Sequence, residues 1–263
     1  MKKRLFHATS LFLFVTFVST VRAEVVGKAV EYKDGDVVLE GYLAYDPDKV
    51  KADTPAVLII HQWLGLTDYE KQRAHQLAEL GYVAFAADIY GKGDRPANRG
   101  EAGKWAGKYK TDRALYRKRL NLGLDALKAQ KNVDAKKIAA IGYCFGGTGV
   151  LELARSGAAV AGVVSFHGGL DSPSPADGKN ISAKVLVLHG ADDPFVPEEG
   201  IKAMIKEFND AKVDWQMIYY SGAVHSFTQK MAGNDNSTGA AYNARADARS
   251  WQDMRQFFDE SLK

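Results

Sequence analysis

The chain contains a single cysteine, Cys144, and the residues around it point to nucleophilic chemistry. Cys144 lies in the stretch 142–146, Gly-Tyr-Cys-Phe-Gly, which follows an apolar run and precedes a segment with helical spacing. A strand that passes through Gly-x-Cys-x-Gly into a helix is typical of a nucleophile elbow, with cysteine in place of serine. The turn is so tight that side chains at Gly142 and Gly146 would collide with neighbouring backbone. The sulfur would sit at a helix N-terminus, which stabilises a thiolate, so the pattern predicts a nucleophile rather than a buried structural thiol.

A cysteine nucleophile needs a base, and the base needs a group that orients it. Among six histidines, His225 is the candidate base, because it lies between the predicted strand 214–220 and the last predicted helix. The orienting acid should follow the predicted strand 184–189, where Asp192 and Asp193 compete. Either carboxylate could instead begin a turn or a helix. We predict that Asp193 is the acid, which gives the order nucleophile, acid, base of an α/β-hydrolase.

The remaining histidines do not form a convincing second site. His167 and His189 each end a predicted strand, and we expect them to be polar residues packed near the site. An alternative metal enzyme would use these two residues and His61, but the sequence has no His-x-His or His-Glu-x-x-His spacing. The glycines at 146–147 are not followed by a dinucleotide motif or a phosphate-loop lysine. We therefore expect neither a metal nor a cofactor.

Acyl transfer at Cys144 would also need two backbone donors that bind the oxyanion. One should be the N–H of Phe145, the residue directly after the nucleophile. The other should come from the loop that follows the predicted strand 56–61, which indicates Trp63.

The elements that must position these residues alternate between strands and helices. Strands are predicted at 26–32, 37–45, 56–61, 82–87, 138–142, 160–166, 184–189 and 214–220, and helices at 70–80, 112–129, 145–155, 198–209 and 240–262. This alternation favours an α/β fold with a mostly parallel sheet covered on both faces, and the first strand pair indicates an antiparallel edge. Sites in such sheets form beyond the carboxyl ends of the strands. Residues 92–111 form a surface excursion, either a lid or, as we favour, a solvated helix.

The first 23 residues have the features of a secretory signal peptide. A basic start at residues 2–4 is followed by the apolar run 11–18 and by a Val-x-Ala end at Ala23. The apolar run is shorter than the about 20 residues that a membrane span needs. We expect cleavage after Ala23, no membrane span after cleavage, and a periplasmic or secreted protein. An uncleaved tether is the alternative.

Charge and length limit the class of the remaining protein. The chain carries 35 Lys and Arg residues against 32 Asp and Glu residues, and four of the basic residues but no acidic residue fall in residues 1–23. The remainder therefore has 31 basic and 32 acidic residues, and without a basic stripe it is not expected to bind nucleic acid. Residues 24–263 have no linker or repeat and are predicted to form one domain. A lone cysteine in an exported chain excludes an internal disulfide.

The sequence resembles the dienelactone hydrolase family over nearly all of residues 24–263. The resemblance rests on Gly-Tyr-Cys-Phe-Gly-Gly at 142–147, Ala-Ala-Asp-Ile-Tyr-Gly at 86–91, Asp-Pro-Phe-Val-Pro at 193–197, His-Ser-Phe at 225–227 and the tail 241–251. It implies an α/β-hydrolase fold and a Cys144–Asp193–His225 triad. It also implies metal-free hydrolysis of a small ester or lactone through a thioester, by a protein that is often a monomer.

Two positions depart from the family pattern. Members commonly carry a glutamate within His-Glu-Trp that can hold the resting cysteine as a neutral thiol, whereas this chain has Gln62, which cannot take the thiol proton. Members also use arginines to bind a substrate carboxylate. Here the nearest candidates are Lys92 and Arg95, and Gln229 stands where a second arginine would be expected.

These matches and departures leave the substrate open. The candidate pocket residues are Gln62, Tyr90, Lys92 and Phe227. We expect an ester or lactone hydrolase, and the alternative is a non-catalytic binding protein that keeps the fold and the pocket.

Overall fold

The computed structural model describes residues 24–263, and the predicted signal peptide at 1–23 lies outside the described residues. The described chain contains eight strands, β1 to β8: Val26–Asp34, Val37–Tyr45, Thr54–Ile60, Val83–Ala87, Val133–Tyr143, Gly162–Phe166, Lys184–Gly190 and Trp215–Tyr220. Its six α-helices, α1 to α6, are Asp68–Glu79, Arg99–Thr111, Arg113–Lys128, Phe145–Arg155, Glu198–Asp210 and Ala244–Ser261. Three short 3₁₀ turns complete the described part.

All eight described strands belong to one sheet, in the order β1-β2-β4-β3-β5-β6-β7-β8. The pairs β1–β2 and β2–β4 are antiparallel, and every other pair is parallel. The predicted mostly parallel sheet with an antiparallel edge is therefore confirmed. Because β3 and β5 to β8 run in the same direction, the loops that follow them meet at one edge of the sheet.

Both faces of the sheet are covered, as the continuous apolar strands predicted. Along β3, Ala56, Leu58 and Ile60 face one core, and Val57 and Ile59 face the other. Helices α2 to α5 cover the first face, and α1 and α6 cover the second. Alternate side chains of a strand point to opposite faces, so a strand buried on both sides must be apolar throughout.

The last helix begins later than the sequence pattern indicated, at Ala244 rather than Ala240. Asn243 is its N-cap, and the Asn243 side chain accepts a hydrogen bond from the N–H of Ala246. Ala240 instead forms an isolated bridge with His225. The segment before α6 therefore braces the loop that carries the histidine.

The segment 92–111 was predicted to be a solvated helix or a lid. It does contain a helix, α2, but Ala102, Ala106 and Tyr109 on its inner face are buried. Trp105 of the same helix packs against Tyr90, with ring centroids 5.3 Å apart. The expectation of a fully solvated helix was thus wrong for this inner face. In the described range, no helix combines the length and apolar character needed to cross a membrane.

Candidate active site

The turn between β5 and α4 has the strained backbone of a nucleophile elbow. Cys144 adopts φ 54° and ψ −112°, a conformation that residues with a side chain rarely occupy. A Cβ atom on Gly142 would overlap the carbonyl of Gly146, and one on Gly146 would overlap the carbonyl of Ile60. The two glycines are therefore required by close backbone approach, as the sequence indicated.

The buried side chain of His167 forms a hydrogen bond with the backbone of this elbow. The N–H of Cys144 donates to the carbonyl of Phe166 at 3.0 Å and to Nδ1 of His167 at 3.1 Å. Burial lowers the pKa of His167 well below its usual value, so its ring is neutral. Since Nδ1 accepts, Nε2 carries the proton and donates to Oγ1 of Thr228 at 2.8 Å. His167 thus lies at the site as expected, and it contacts the backbone of the elbow rather than its sulfur.

The loops after β7 and β8 complete a chain of hydrogen bonds that starts at the sulfur. Nε2 of His225 lies 3.1 Å from Sγ of Cys144, and Nδ1 of His225 lies 2.8 Å from Oδ2 of Asp193. The Asp193 carboxylate is fully buried, and its other oxygen accepts the N–H of Phe195 at 2.9 Å. Asp192, the competing acid, is exposed. The geometry therefore selects Asp193 as the partner of His225.

The charges of Cys144 and His225 stabilise each other. Burial alone would raise the pKa of the Cys144 thiol, but His225, Lys110 and the N–H of Phe145 outweigh burial and lower that pKa. Burial alone would lower the pKa of His225. The charge of Cys144 and the hydrogen bond with Asp193 oppose it and raise the pKa of His225 to about 10. Both shifts favour a thiolate beside an imidazolium.

The two residues predicted to supply backbone donors lie at the start of α4 and in the loop between β3 and α1. The N–H of Phe145, at the start of α4, forms a hydrogen bond that favours the thiolate. Trp63 lies in the loop between β3 and α1, and its carbonyl accepts the hydroxyl of Tyr90 at 2.9 Å. Within residues 24–263, no acceptor receives the N–H of Trp63.

Two of the four candidate pocket residues lie beside this loop. Gln62 directly precedes Trp63 and is buried. Tyr90 is buried against the rings of His61 and Phe145, with centroid distances of 4.7 and 5.7 Å. Tyr90 therefore supports the loop of Trp63 through both its ring and its hydroxyl.

The structure does not bring the other two candidates into an open pocket. Lys92 forms ion pairs with Glu31 and Glu40 on the antiparallel edge of the sheet. Phe227 is fully buried and packs against His167, with centroids 5.1 Å apart, so it belongs to the core below the site. Both were assigned from their distance along the chain to a motif, which does not determine the direction of a side chain.

The residues considered as partners of a substrate carboxylate do not offer a free positive charge at the site either. Arg95 donates to the carbonyls of Leu66 and Gly91 at 3.1 Å each, so it fastens two loops together. Gln229 is buried and carries no charge. Arg95 is thus bound to backbone carbonyls, and Gln229 cannot supply a positive charge.

Two residues near the sulfur were missed by the sequence analysis. Phe195 is 60% exposed, and its ring edge meets the ring of His225 at a centroid distance of 5.5 Å. Its place two residues after Asp193 was a usable signal. Lys110, on α2, is close enough to favour the Cys144 thiolate. No sequence signal marked Lys110, because only the packing of α2 brings it there.

Residues 24–263 contain no group of three or more His, Cys, Asp or Glu side chains that could hold a metal ion. Both ring nitrogens of His61 are occupied. Its Nδ1 donates to the carbonyl of Gln62 at 2.6 Å, and its Nε2 accepts the N–H of Ile89 at 3.2 Å.

The doubly covered, mostly parallel sheet and the strand-turn-helix elbow define the class of α/β-hydrolases. Within that class, the sequence model of the dienelactone hydrolase family matches residues 39–262. The chain belongs to the dienelactone hydrolase family, and it is a hydrolase of that type.

Individual relatives agree with this assignment. The solved structure of a dienelactone hydrolase-like promiscuous phosphotriesterase from metagenomic libraries is 42% identical, with a TM-score of 0.86 over 92% of this chain and 100% of that chain. A protein of Aquifex aeolicus, provisionally named a carboxymethylenebutenolidase, is 26% identical over 90% of this chain and all of its own length. A Bradyrhizobium protein, provisionally named a 2-oxo-3-(5-oxofuran-2-ylidene)propanoate lactonase, is 28% identical over 66% of this chain and 73% of its own.

Proposed function

We propose that this protein hydrolyses carboxylic esters or lactones with Cys144 as nucleophile, His225 as proton carrier and Asp193 as the residue that orients His225. The observation that carries the proposal is the hydrogen-bonded chain from sulfur to imidazole to buried carboxylate, with distances of 3.1 and 2.8 Å. A nucleophile, a base and an orienter within hydrogen-bond reach are what covalent acyl transfer requires.

In the first half of the reaction, the Cys144 thiolate attacks the carbonyl carbon of the substrate. The N–H groups of Phe145 and Trp63 bind the oxygen that becomes negatively charged, a contribution of a few kcal/mol for each donor in comparable sites. When the tetrahedral intermediate collapses, the C–O bond to the alcohol breaks and the His225 imidazolium protonates the leaving oxygen. A thioester on Cys144 and a neutral imidazole remain.

In the second half, the state of His225 follows from that of the sulfur. An acylated sulfur has no negative charge, and the charge of Cys144 is the largest contribution that raises the pKa of His225. The pKa of His225 therefore falls once the thioester forms, so its imidazole can take a proton from water. The resulting hydroxide attacks the thioester, the acid is released, and the thiolate and the imidazolium are restored.

The relatives support the substrate class rather than a particular substrate. The Aquifex and Bradyrhizobium proteins carry the names of a butenolide hydrolase and a lactonase, which favours esters and lactones here. A second candidate activity is hydrolysis of phosphotriesters. The structural relative named a promiscuous phosphotriesterase favours it, since that protein is 42% identical over 92% of this chain.

Turnover of a p-nitrophenyl ester tests the proposal directly. Cys144→Ala should abolish turnover, and Asp193→Asn should lower kcat by about 10²- to 10⁴-fold, because the amide cannot stabilise the imidazolium. Asp192→Asn is the matched control, since it neutralises the exposed neighbouring carboxylate and should leave kcat unchanged. A chain that turns over no ester, lactone or phosphotriester would instead favour the alternative, a non-catalytic binding protein. An aryl phosphotriester run in parallel tests the second activity.

We also propose that residues 1–23 direct export and that the mature protein is a monomer. The basic start, the short apolar run and the Val-x-Ala end support export. Mass spectrometry of the protein recovered from each cell fraction should find a chain that begins at Glu24 outside the cytoplasm. Light scattering of the purified chain should give the mass of one copy, and a dimer mass would contradict the monomer.

A further inference from the structure

One buried carboxylate connects both ends of the loop that carries Trp63. Glu70 lies in the first turn of α1, and its side chain is fully buried. Its Oε2 accepts the N–H and the hydroxyl of Thr67, at 2.8 and 2.7 Å. Its Oε1 accepts the N–H of Gln62 at 3.3 Å. Glu70 therefore joins the first and the last residue of the segment 62–67, which we call the 62–67 loop.

The bond to Gln62 goes beyond what is needed to begin α1. A capping box needs only the reciprocal hydrogen bonds between Thr67 and Glu70, and both are present. Burial raises the pKa of Glu70, which means that burying its charge is costly, and the bonds from Thr67 and Gln62 oppose that cost. An uncharged side chain could fill the same space, so the third hydrogen bond is the distinctive contribution of the carboxylate.

The other hydrogen bonds of the loop determine where the N–H of Trp63 points. The carbonyl of Gln62 accepts from Nδ1 of His61 at 2.6 Å and from the N–H of Gly65 at 3.1 Å. No cis peptide bond occurs in residues 24–263, and in a trans peptide the C=O and N–H point in opposite directions. The N–H of Trp63 therefore points away from His61 and Gly65. Glu70 anchors the preceding peptide unit, so both peptide planes that meet at Gln62 are fastened.

We infer that Glu70 is a positioning residue for oxyanion stabilisation: by holding the 62–67 loop at both ends, it keeps the N–H of Trp63 aimed at the reacting carbonyl oxygen. The inference rests on the proposed function, because it assumes that Trp63 donates to an oxyanion. Glu70 touches neither the substrate nor the sulfur in this role. It acts only through the backbone of Gln62 and Trp63.

Two reactions of the same sulfur separate this role from a general structural one. Ester hydrolysis needs the oxyanion donors, whereas alkylation of Cys144 by iodoacetamide occurs at a saturated carbon and forms no oxyanion. In Glu70→Gln an NH₂ group, which can only donate, replaces one of the two oxygens that accept hydrogen bonds from Thr67 and Gln62. We expect kcat for a p-nitrophenyl ester to fall about 10- to 100-fold, with KM within about 2-fold and an unchanged alkylation rate, since a lost oxyanion donor affects the transition state.

The control is Asp68→Asn, which removes a carboxylate from the same turn of α1. The Asp68 side chain is 88% exposed and forms an ion pair with Lys71. This variant should leave kcat and alkylation unchanged. Equal kcat values in Glu70→Gln and Asp68→Asn would overturn the inference. A parallel loss of kcat and alkylation in Glu70→Gln would also overturn it, because Glu70 would then support the site as a whole.

A second variant covers the possibility that Glu70→Gln does not fold. Glu70→Asp keeps the charge but is one methylene too short to reach Thr67 and Gln62 together, and the same split between kcat and alkylation is expected. Failure of the proposed function would look different: the parent protein would hydrolyse no ester, or Cys144→Ala would retain turnover. If the parent is active and depends on Cys144 while both Glu70 variants keep full kcat, only the present inference fails.

Discussion

Helices α1 and α4, which follow the parallel strands β3 and β5, begin in opposite ways. Helix α1 starts with a complete capping box, in which the side chains of Thr67 and Glu70 bond reciprocally to the backbone. Helix α4 has Cys144 as its N-cap residue, whose side chain makes no capping hydrogen bond and whose φ is 54°. Every helix leaves four N–H groups without an internal partner. At α1 the side chain of Thr67 accepts one of these groups, whereas at α4 no side chain of the N-cap residue does so.

The difference shows that the site combines a strained turn at Cys144 with a loop before α1 that is stabilised by hydrogen bonds. A residue in such a sparsely populated conformation costs on the order of 1–3 kcal/mol. The bonds from the N–H of Cys144 to Phe166 and His167 hold the elbow in that conformation. The capped start of α1 stabilises the facing loop. Replacing the strained Cys144 by glycine should therefore raise stability, whereas removing the cap at Thr67 should lower it.

The largest effect is expected for Cys144→Gly, which removes the nucleophile and also releases the backbone strain. Ester turnover should fall at least about 10³-fold, while the free energy of unfolding should rise by about 1 kcal/mol, since glycine tolerates a positive φ. Esterase assays and urea denaturation measure the two quantities. Cys144→Ala is the control, because it loses the same activity but keeps the strain. If both variants had the same stability, the elbow would not be strained.

Adding a methyl group at Gly146 should lower the free energy of unfolding by about 3 kcal/mol. In Gly146→Ala the new methyl group would overlap the backbone carbonyls of Ile60, which ends β3, and of His61, which follows it, and backbone atoms cannot easily move. Thermal denaturation should show the loss. Gly103→Ala, in an open position on α2, is the control and should raise stability by about 0.5–1 kcal/mol. A Gly146→Ala protein of parent stability would contradict the steric requirement.

The lowered pKa of the Cys144 thiol should be visible in the pH dependence of its alkylation. The pKa of the Cys144 thiol is lowered, so its thiolate persists as the pH falls below about 8.5, where an ordinary thiol becomes protonated. In His225→Gln the main group that lowers this pKa is lost, and burial then raises it. At pH 6 the rate of iodoacetamide alkylation should fall about 100-fold in the variant. Matching profiles in the two proteins would exclude a thiolate stabilised by His225.

The smallest effect is expected at the capped helix. Thr67→Ala removes the N-cap side chain of α1 and should lower the free energy of unfolding by about 1 kcal/mol, as measured by urea denaturation. Alkylation of Cys144 should not change, because Thr67 contacts neither the sulfur nor His225. Thr67→Ser keeps the hydroxyl and should retain parent stability. A drop in alkylation for Thr67→Ala would mean that the two helix starts are coupled.

Much of the fold could be predicted because it depends on local patterns. The apolar run that becomes β3 has to be buried on both faces, and that requirement indicated the parallel sheet. The elbow was also predictable, because Gly142 and Gly146 are separated from Cys144 by fixed short distances in sequence. Helix α2 was described less well, since its apolar positions are few and its burial depends on the aromatic contact between Trp105 and Tyr90.

The pocket residues illustrate the limit of motif-based assignment. Lys92 and Phe227 stand close to recognisable motifs, yet one is paired on the antiparallel edge and the other lies in the core. Phe195 and Lys110, by contrast, face the site from a loop and from a helix. The direction of a side chain depends on the register and packing of its element, which a linear motif does not contain.

The sequence by itself determined the family, and it was enough to predict Cys144 as the nucleophile and the order of the proposed triad, because these follow from residue types at short, fixed spacings. The sequence favoured Asp193 over Asp192, but only the tertiary structure shows which of the two adjacent side chains reaches His225. The tertiary structure also decided that Glu70 bonds to Gln62, eight residues away. Such contacts depend on how a loop folds back on its helix, and that path is set by packing against the sheet rather than by local sequence preference.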